Sequence, residues 1–462
     1  MTKLNFVFIS VLLSMLAILL SNWSFFISPL IVLAILFAIY GERFIIAFVL
    51  ITLFTLVGEL DRSLRTVVQL TDFVLLGYLF LKRFGLNFLS YKRVPKSVLY
   101  FLLLYFLTMI LSSIFSEYPF AGIKIITLQF IFFIIVYVFY SLIKDDLDIK
   151  NYFLSIILVA CILVTISLIS FYLEGYSLLN IISKDRTRVS ALISNFEAFS
   201  NFFVISVPIL ISFILFNRKN AAKNNMTWFL LFYIGLGLIL TMSRSSILGI
   251  VISVLIILFM SKRKRFYQFI LAVSLVSVIV LLYPPFNELI SLLFRFEEGM
   301  SARDYLWSMS LNMIKDYPIF GIGPGAYNYE LFNYYPFMLD DFYGKLFIYF
   351  ADVAGGVNLA HNIFLVFFVD MGILGFITSL VLPLIYFRIG IKTIKKFREQ
   401  NNYYIIIGLF AAGTSVIFRN IFNSIGLLYV GGIHTDLPFW LIFGSLIYFY
   451  RFQLPKSDSI ND

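Results

Sequence analysis

Long apolar stretches separated by short polar connections occupy almost all of this 462-residue chain. The stretches are continuous and not alternating, so they read as helices crossing a hydrocarbon core of about 30 Å and not as barrel strands. The expected spans are 4–20, 23–40, 44–58, 66–81, 97–115, 120–143, 152–173, 195–216, 226–241, 243–260, 266–283, 361–387, 403–425 and 433–450. Between the ninth and tenth only Thr241-Met242-Ser243-Arg244 intervenes, a tight polar turn. Lys3 followed by apolar residues from Leu4 to Leu20 resembles a secretory leader, but no small-residue cleavage site follows, and the segment reads as a retained first helix. The predicted fold is all-α: a polytopic transmembrane bundle of about fourteen helices, forming a single membrane domain over 1–462.

Residues 284–360 interrupt this rhythm as the one long segment expected outside the membrane. Pro284-Pro285 stops the preceding helix. Ser301 is a suitable N-cap for a helix reaching about Lys315, with Leu306, Met309, Met313 and Ile314 on one face. Asp316-Tyr317-Pro318 ends it. The rigid turn Gly321-Ile322-Gly323-Pro324-Gly325 follows, in which glycines let another group approach the backbone closely. Aromatic residues from Tyr327 to Phe350 would either stack on sugar faces or form an interfacial belt. The chain re-enters the membrane at Ala360-His361-Asn362. His361 and His434 are the two histidines, and both fall on the loop side. His361 is either structural or a general base facing a membrane-borne substrate.

Composition supports the membrane reading. The chain is 61% hydrophobic and 13% charged, against about 25% charged in soluble domains. The net charge of +10 would suit nucleic acid, but its placement follows the membrane instead, so no nucleic-acid partner is expected. With the N-terminus inside, twenty-three Lys and Arg fall in inner connections and eleven in outer ones, with Lys124 inside a span. This asymmetry predicts an even number of crossings, both termini cytoplasmic and the large loop outside. The two sets differ in kind: eight of the outer eleven are Arg, whereas fourteen of the inner twenty-three are Lys. A guanidinium offers a planar fork that matches phosphate oxygens, so the outer arginines suggest a phosphate ligand. The alternative is pairing with Glu59, Asp61, Asp185 or Glu297.

Other chemistry is sparse. The lone Cys161 excludes an intrachain disulfide and a cysteine metal cluster. Asp145-Asp146-Leu147-Asp148 reads as a solvated inner loop and Asp340-Asp341 as a turn, so neither metal nor cofactor is expected. Asp72, Lys124, Asp370 and Arg419 lie in or near apolar spans, where ionised groups need partners or mark a pathway.

An ordered set of motifs carries a resemblance: Thr241-Met242-Ser243-Arg244, then Arg303-Asp304-Tyr305-Leu306-Trp307, then Asp316 through Gly325, then His361-Asn362 with Asp370-Met371-Gly372-Ile373-Leu374-Gly375. Over residues 186–376 the chain resembles the O-antigen ligase and O-antigen polymerase superfamily. The resemblance implies a membrane glycosyltransferase acting on polyprenyl-diphosphate-linked sugars at the outer face of the bacterial cytoplasmic (inner) membrane. It matches Arg188 with Asn195, Arg244, Arg303 and His361 to family positions; Asp370 stands where the family usually has Glu, a conservative departure.

On this reading Arg188, Arg244 and Arg303 stabilise the leaving diphosphate and His361 is the general base. Gly321, Gly323, Gly325, Asn362 and Arg186 are expected at the substrate. The partners would be undecaprenyl-diphosphate-linked oligosaccharide, a glycan or lipid acceptor, and membrane lipids. The function expected first is polymerisation of lipid-linked repeat units in cell-surface polysaccharide biosynthesis. The alternative is ligation of the glycan onto a lipid A core or other acceptor. A lipid-linked oligosaccharide flippase or transporter is the alternative of another class, disfavoured because the halves show no internal repeat.

Overall fold

The computed structural model describes residues 41–55, 62–85, 93–173, 196–216, 221–241, 243–284, 303–334, 360–400, 402–428 and 432–451. Twelve of the fourteen expected spans fall wholly or mostly on these residues, and each holds a helix. The spans 4–20 and 23–40 lie outside them, as do Arg186, Arg188, Asn195, Ser301 and Asp340-Asp341.

In chain order the bundle helices are α1 (Glu42–Thr55), α2 (Arg62–Phe84), α3 (Lys96–Phe115), α4 (Pro119–Leu142), α5 (Asp146–Leu173), α6 (Phe196–Phe216), α7 (Ala221–Thr241), α8 (Arg244–Ser261) and α9 (Arg263–Leu282). Two short helices of the large loop follow, α10 (Arg303–Asp316) and α11 (Tyr327–Tyr334), and then α12 (Ile363–Lys396), α13 (Tyr403–Arg419) and α14 (Ile433–Arg451). No strand occurs among the described residues. Six of these helices are long and apolar enough to cross a membrane by length and composition. The protein is a multi-pass helical membrane protein.

The helices pack through small residues at their closest crossings. α6, α8 and α13 form the tightest group. A Cβ built on Gly249 of α8 would stand 2.6 Å from the Ser415 carbonyl of α13, and one on Gly408 of α13 would stand 3.3 Å from Ser212 of α6. In lipid there is little hydrophobic drive between helices, so close backbone approach and polar contacts supply the attraction. Outward faces stay apolar, as in the exposed row Leu99, Leu103, Leu107, Ile110 and Ile114 of α3.

Polar contacts gather at two opposite ends. At one, Arg43 pairs with Asp148 (2.7 Å) and Asp145 (2.5 Å), Lys82 pairs with Glu42 (3.4 Å), and Lys144 also pairs with Glu42. There Lys396 donates to the Tyr450 carbonyl at 3.1 Å and Arg451 to the Arg93 carbonyl. The other end carries the α7–α8 turn, the loop helices and His361, and is called the loop end below. Arg43, Lys82, Lys144, Lys396 and Arg451, all assigned by sequence to inner connections, share the first of these ends.

Three expectations need correction. The acidic run Asp145-Asp146-Leu147-Asp148 is not a solvated loop. Asp148 is buried; its carboxylate accepts the Lys144 N–H at 2.6 Å while Asp145 accepts the Leu147 N–H at 2.8 Å, so the run caps α5 and holds Arg43. The span 403–425 is helical only to Arg419, and residues 420–428 continue as irregular buried backbone. The helix of span 361–387 runs on to Lys396 and breaks internally at Gly372, where φ is 63°.

Candidate functional site

The loop end is assembled in two layers. Outermost is a small core of the large loop, where Leu306, Met309 and Met313 of α10 pack with Ile322, Ala326, Tyr327, Leu331 and Tyr334 and against Ala360, Val366 and Val369 of α12 and its approach. This is the apolar face that the 3.6-residue spacing predicts. Tyr334 donates to Asp316 at 2.6 Å; burial, reinforced by that carboxylate, pushes the phenol above its ordinary range and keeps it a donor.

The glycine turn docks into the break in α12. Gly372 leaves helical geometry, which frees the carbonyls of Val369 and Asp370 to accept the Ile322 N–H (2.9 Å) and the Gly323 N–H (3.0 Å). In return Ile373 N–H donates to the Pro318 carbonyl at 2.9 Å. Ser112 of α3 donates to the same Asp370 carbonyl at 2.6 Å, and Ser116 donates to that of Ile322. Gly321, at φ 72°, needs the left-handed region, and a Cβ there would stand 2.5 Å from the Asp370 backbone. At Gly323 and Gly325 the nearest groups are Ser116 and Ile125. The close approach foreseen from the glycines is thus made by the protein's own helices.

His361 lies just before α12 in an unusual conformation. Its φ is 50°, the one positive value at a non-glycine among the described residues. That region costs an L side chain about 1 kcal/mol or more and persists only where the surroundings impose it. Two contacts impose it here. Trp307 of α10 donates its indole N–H to the Ala360 carbonyl at 2.9 Å, and the Ile363 N–H donates to the Asn420 carbonyl at 3.1 Å. Asn362 is the N-cap of α12, its side-chain oxygen accepting the N–H groups of Phe364 (2.9 Å) and Leu365 (3.1 Å). Arg303 opens α10 one turn before Trp307, partly exposed.

Arg244 is the first residue of α8, half-buried at the positive end of that helix, a position that favours anions. Ser243 is buried and does not cap the helix; its hydroxyl contacts Ser246 (2.8 Å) and Ser245 (3.3 Å). Ser246 donates to Ser200 of α6 at 2.8 Å. Ser200 also accepts from the guanidinium of Arg419, fully buried at the end of α13 (3.1 Å). Arg419 donates further to Asn201 Oδ1 at 3.0 Å and to the Ile425 carbonyl at 3.3 Å. Asn201 in turn donates to the Thr435 carbonyl at 2.8 Å, and Asp436 accepts the Gly426 N–H at 3.1 Å.

The hydrogen bonds therefore connect the Ser-Arg turn to the residues beside His361 through Ser200, Arg419 and Asn420. Arg244, Arg303 and His361 occupy one end of the bundle; Arg188 and Arg186 lie outside the described residues. Ser200, Asn201 and Asn420 escape a sequence reading, and Arg419 gives only the signal of a charge in an apolar run. Among the described residues no group of three or more His, Cys, Asp or Glu is placed to hold a metal ion.

No curated protein matches the chain. Residues 229–380, the stretch holding the Ser-Arg turn, α10, the glycine turn and His361, match the family model described as O-antigen ligase.

Proposed function

We propose that this protein is a glycosyltransferase of cell-surface polysaccharide biosynthesis that polymerises lipid-linked oligosaccharide repeat units at the outer face of the bacterial cytoplasmic membrane. The family match supports O-antigen ligase- or polymerase-type glycan chemistry and an enzyme role in general. The observation that carries the finer reading is His361, held at φ 50° at the end of the bundle that also bears Arg244 and Arg303.

Nucleotide sugars remain in the cytoplasm, so an enzyme working outside takes its sugar from a lipid-linked diphosphate. The acceptor hydroxyl attacks the anomeric carbon, and the bond to the diphosphate oxygen breaks. Negative charge builds on the leaving diphosphate, and fixed guanidinium groups in a poorly solvated site stabilise it: Arg244 and Arg303, with Arg188 in the same role. His361 removes the proton from the attacking hydroxyl. The glycine turn and Asn362 act on the substrate indirectly, by fixing the loop and the start of α12, and Arg186 contributes to donor binding. No cofactor enters the scheme.

Ligation onto a lipid A core or another acceptor is the second reading, favoured by the description of the matching family model. The two share a donor and differ in acceptor. Purified protein given polyprenyl-diphosphate oligosaccharide alone yields a ladder of lengthened lipid-linked glycan if it polymerises. A ligase yields product only when the second acceptor is added. Arg244→Ala and His361→Ala each lower product formation by about 10²-fold or more, the usual cost of removing one stabilising donor or a general base, while membrane expression is retained. Wild-type turnover in both variants would sink the assignment.

A further inference from the structure

The Ser-Arg turn does not secure itself. The Ser243 hydroxyl does not cap α8 and joins Ser246, whose own bond leads across to Ser200 and so to Arg419. Arg419 is among the largest side chains in the protein with no exposure at all. A residue needed only to fill that volume would be apolar, because a guanidinium inside a membrane bundle must be matched by several acceptors to be tolerated. Two of those acceptors come from a distant part of the chain, Ser200 and Asn201 on α6, and the third is the Ile425 carbonyl in the irregular segment just after α13.

The residue next to it completes the picture. The Asn420 carbonyl accepts the Ile363 N–H, two residues beyond His361. Gly249, one turn beyond Ser246, lies where a Cβ would come 3.4 Å from the Arg419 side chain. The Arg419–Asn420 pair is thus linked on one side, through Ser200, to the helix that begins with Arg244 and bonded on the other to the helix that begins after His361. We infer that Arg419 is a positioning residue for glycosyl transfer, fixing Arg244 relative to His361 through Ser200 and Ser246. This rests on the roles assigned to Arg244 and His361 above. Arg419 touches neither donor nor acceptor. It keeps the leaving-group cation and the base in one register while the large substrate binds.

Ser246→Ala is the sharpest probe, since it removes one hydroxyl and leaves the bonds of Arg419 to Asn201 and Ile425 in place. In the purified full-length enzyme, with polyprenyl-diphosphate oligosaccharide as donor, kcat falls about tenfold or more while KM for the donor stays within about twofold. Arg419→Lys, which keeps the charge and loses the fork, lowers kcat likewise. Combining Ser246→Ala with Arg244→Ala costs no more than Arg244→Ala alone, because both act through one guanidinium. Unchanged kcat in Ser246→Ala, or independent losses that multiply in the double variant, would overturn the inference.

A readout without turnover separates this from the transfer reading itself. In a Cys161→Ser background, spin labels at Leu248→Cys and Phe364→Cys report the spacing of α8 and α12. The distance distribution is narrow in the parent and broadens with Ser246→Ala and with Arg419→Gln. An unchanged distribution in both overturns the positioning role. A protein that holds the spacing yet transfers no sugar overturns the glycosyltransferase reading instead.

Discussion

His361 concentrates two demands that conflict. A left-handed backbone is comfortable for glycine and tolerable for asparagine, but imidazole chemistry needs a side chain. His361→Gly therefore keeps or raises the melting temperature of the purified protein, because the strain at φ 50° disappears, while glycan product falls at least about 10²-fold. A thermal scan and the product ladder check this on one preparation. A clear loss of melting temperature would make the histidine a structural residue. His361 is visible in the sequence as a candidate because a histidine stands out at a polar–apolar border in a chain with two of them. Its backbone strain is not, since the constraints come from Trp307 and Asn420, 54 residues before and 59 after it. Arg419 was legible as a charge and illegible as a hub, for its partner Asn201 lies 218 residues away.

The helices were readable because continuous apolar runs leave the backbone no other way to satisfy its hydrogen bonds in lipid. What the runs could not disclose is where helix stops and irregular buried backbone begins. Residues 420–428 include Ile421, Phe422, Ile425, Leu427 and Leu428, which prolong the apolar run of the helix before them. Their carbonyls are met by side chains instead, Ile425 by Arg419 and Leu427 by the Trp440 indole. The glycine turn shows the same limit. Its composition announces a close approach, but the partner, the break at Gly372, appears only when α12 is in place. Gly321→Ala must both enter a disfavoured φ and press on the Asp370 backbone, which cannot yield as a side-chain end would. It should destabilise docking of the loop by about 2 kcal/mol or more. Protease cleavage within 303–334 becomes faster than in wild type, while cleavage at the opposite end is unchanged. Equal resistance would mean that the turn does not hold the loop down.

The two ends of the molecule are stabilised by different chemistry, and this makes their responses to conditions differ. The end holding Glu42, Arg43, Lys82, Lys144 and Asp148 relies on ion pairs, partly exposed except at Asp148. Burial alone would raise the Asp145 carboxyl. The N–H groups of Asp148 and Leu147 and the Arg43 charge together outweigh it and leave the group below its usual range. A depressed carboxyl pKa contributes stability that is complete above the ordinary value of about 4 and fades as pH falls below it. The melting temperature should therefore decline below pH 4, and less in Asp145→Asn, where that carboxyl no longer titrates. The same slope in both proteins would remove Asp145 from the account.

The same polarity predicts an orientation. Lysine gathers at the end opposite the large loop, and excess Lys and Arg in short connections marks the cytoplasmic side. The proposed donor chemistry requires the same arrangement, because a site facing the cytoplasm would have nucleotide sugars at hand and no need of a lipid diphosphate. In a Cys161→Ser background, single cysteines at Ile319, exposed on the loop, and Lys264, exposed in the α8–α9 region, give the two ends distinct reporters. A membrane-impermeant maleimide added to intact cells labels Ile319→Cys, whereas Lys264→Cys reacts only after permeabilisation. The reverse result would turn the loop, His361 and Arg244 toward the cytoplasm. Transfer from a lipid-linked donor would then lose its physical reason even if the cations and the base were placed as they are.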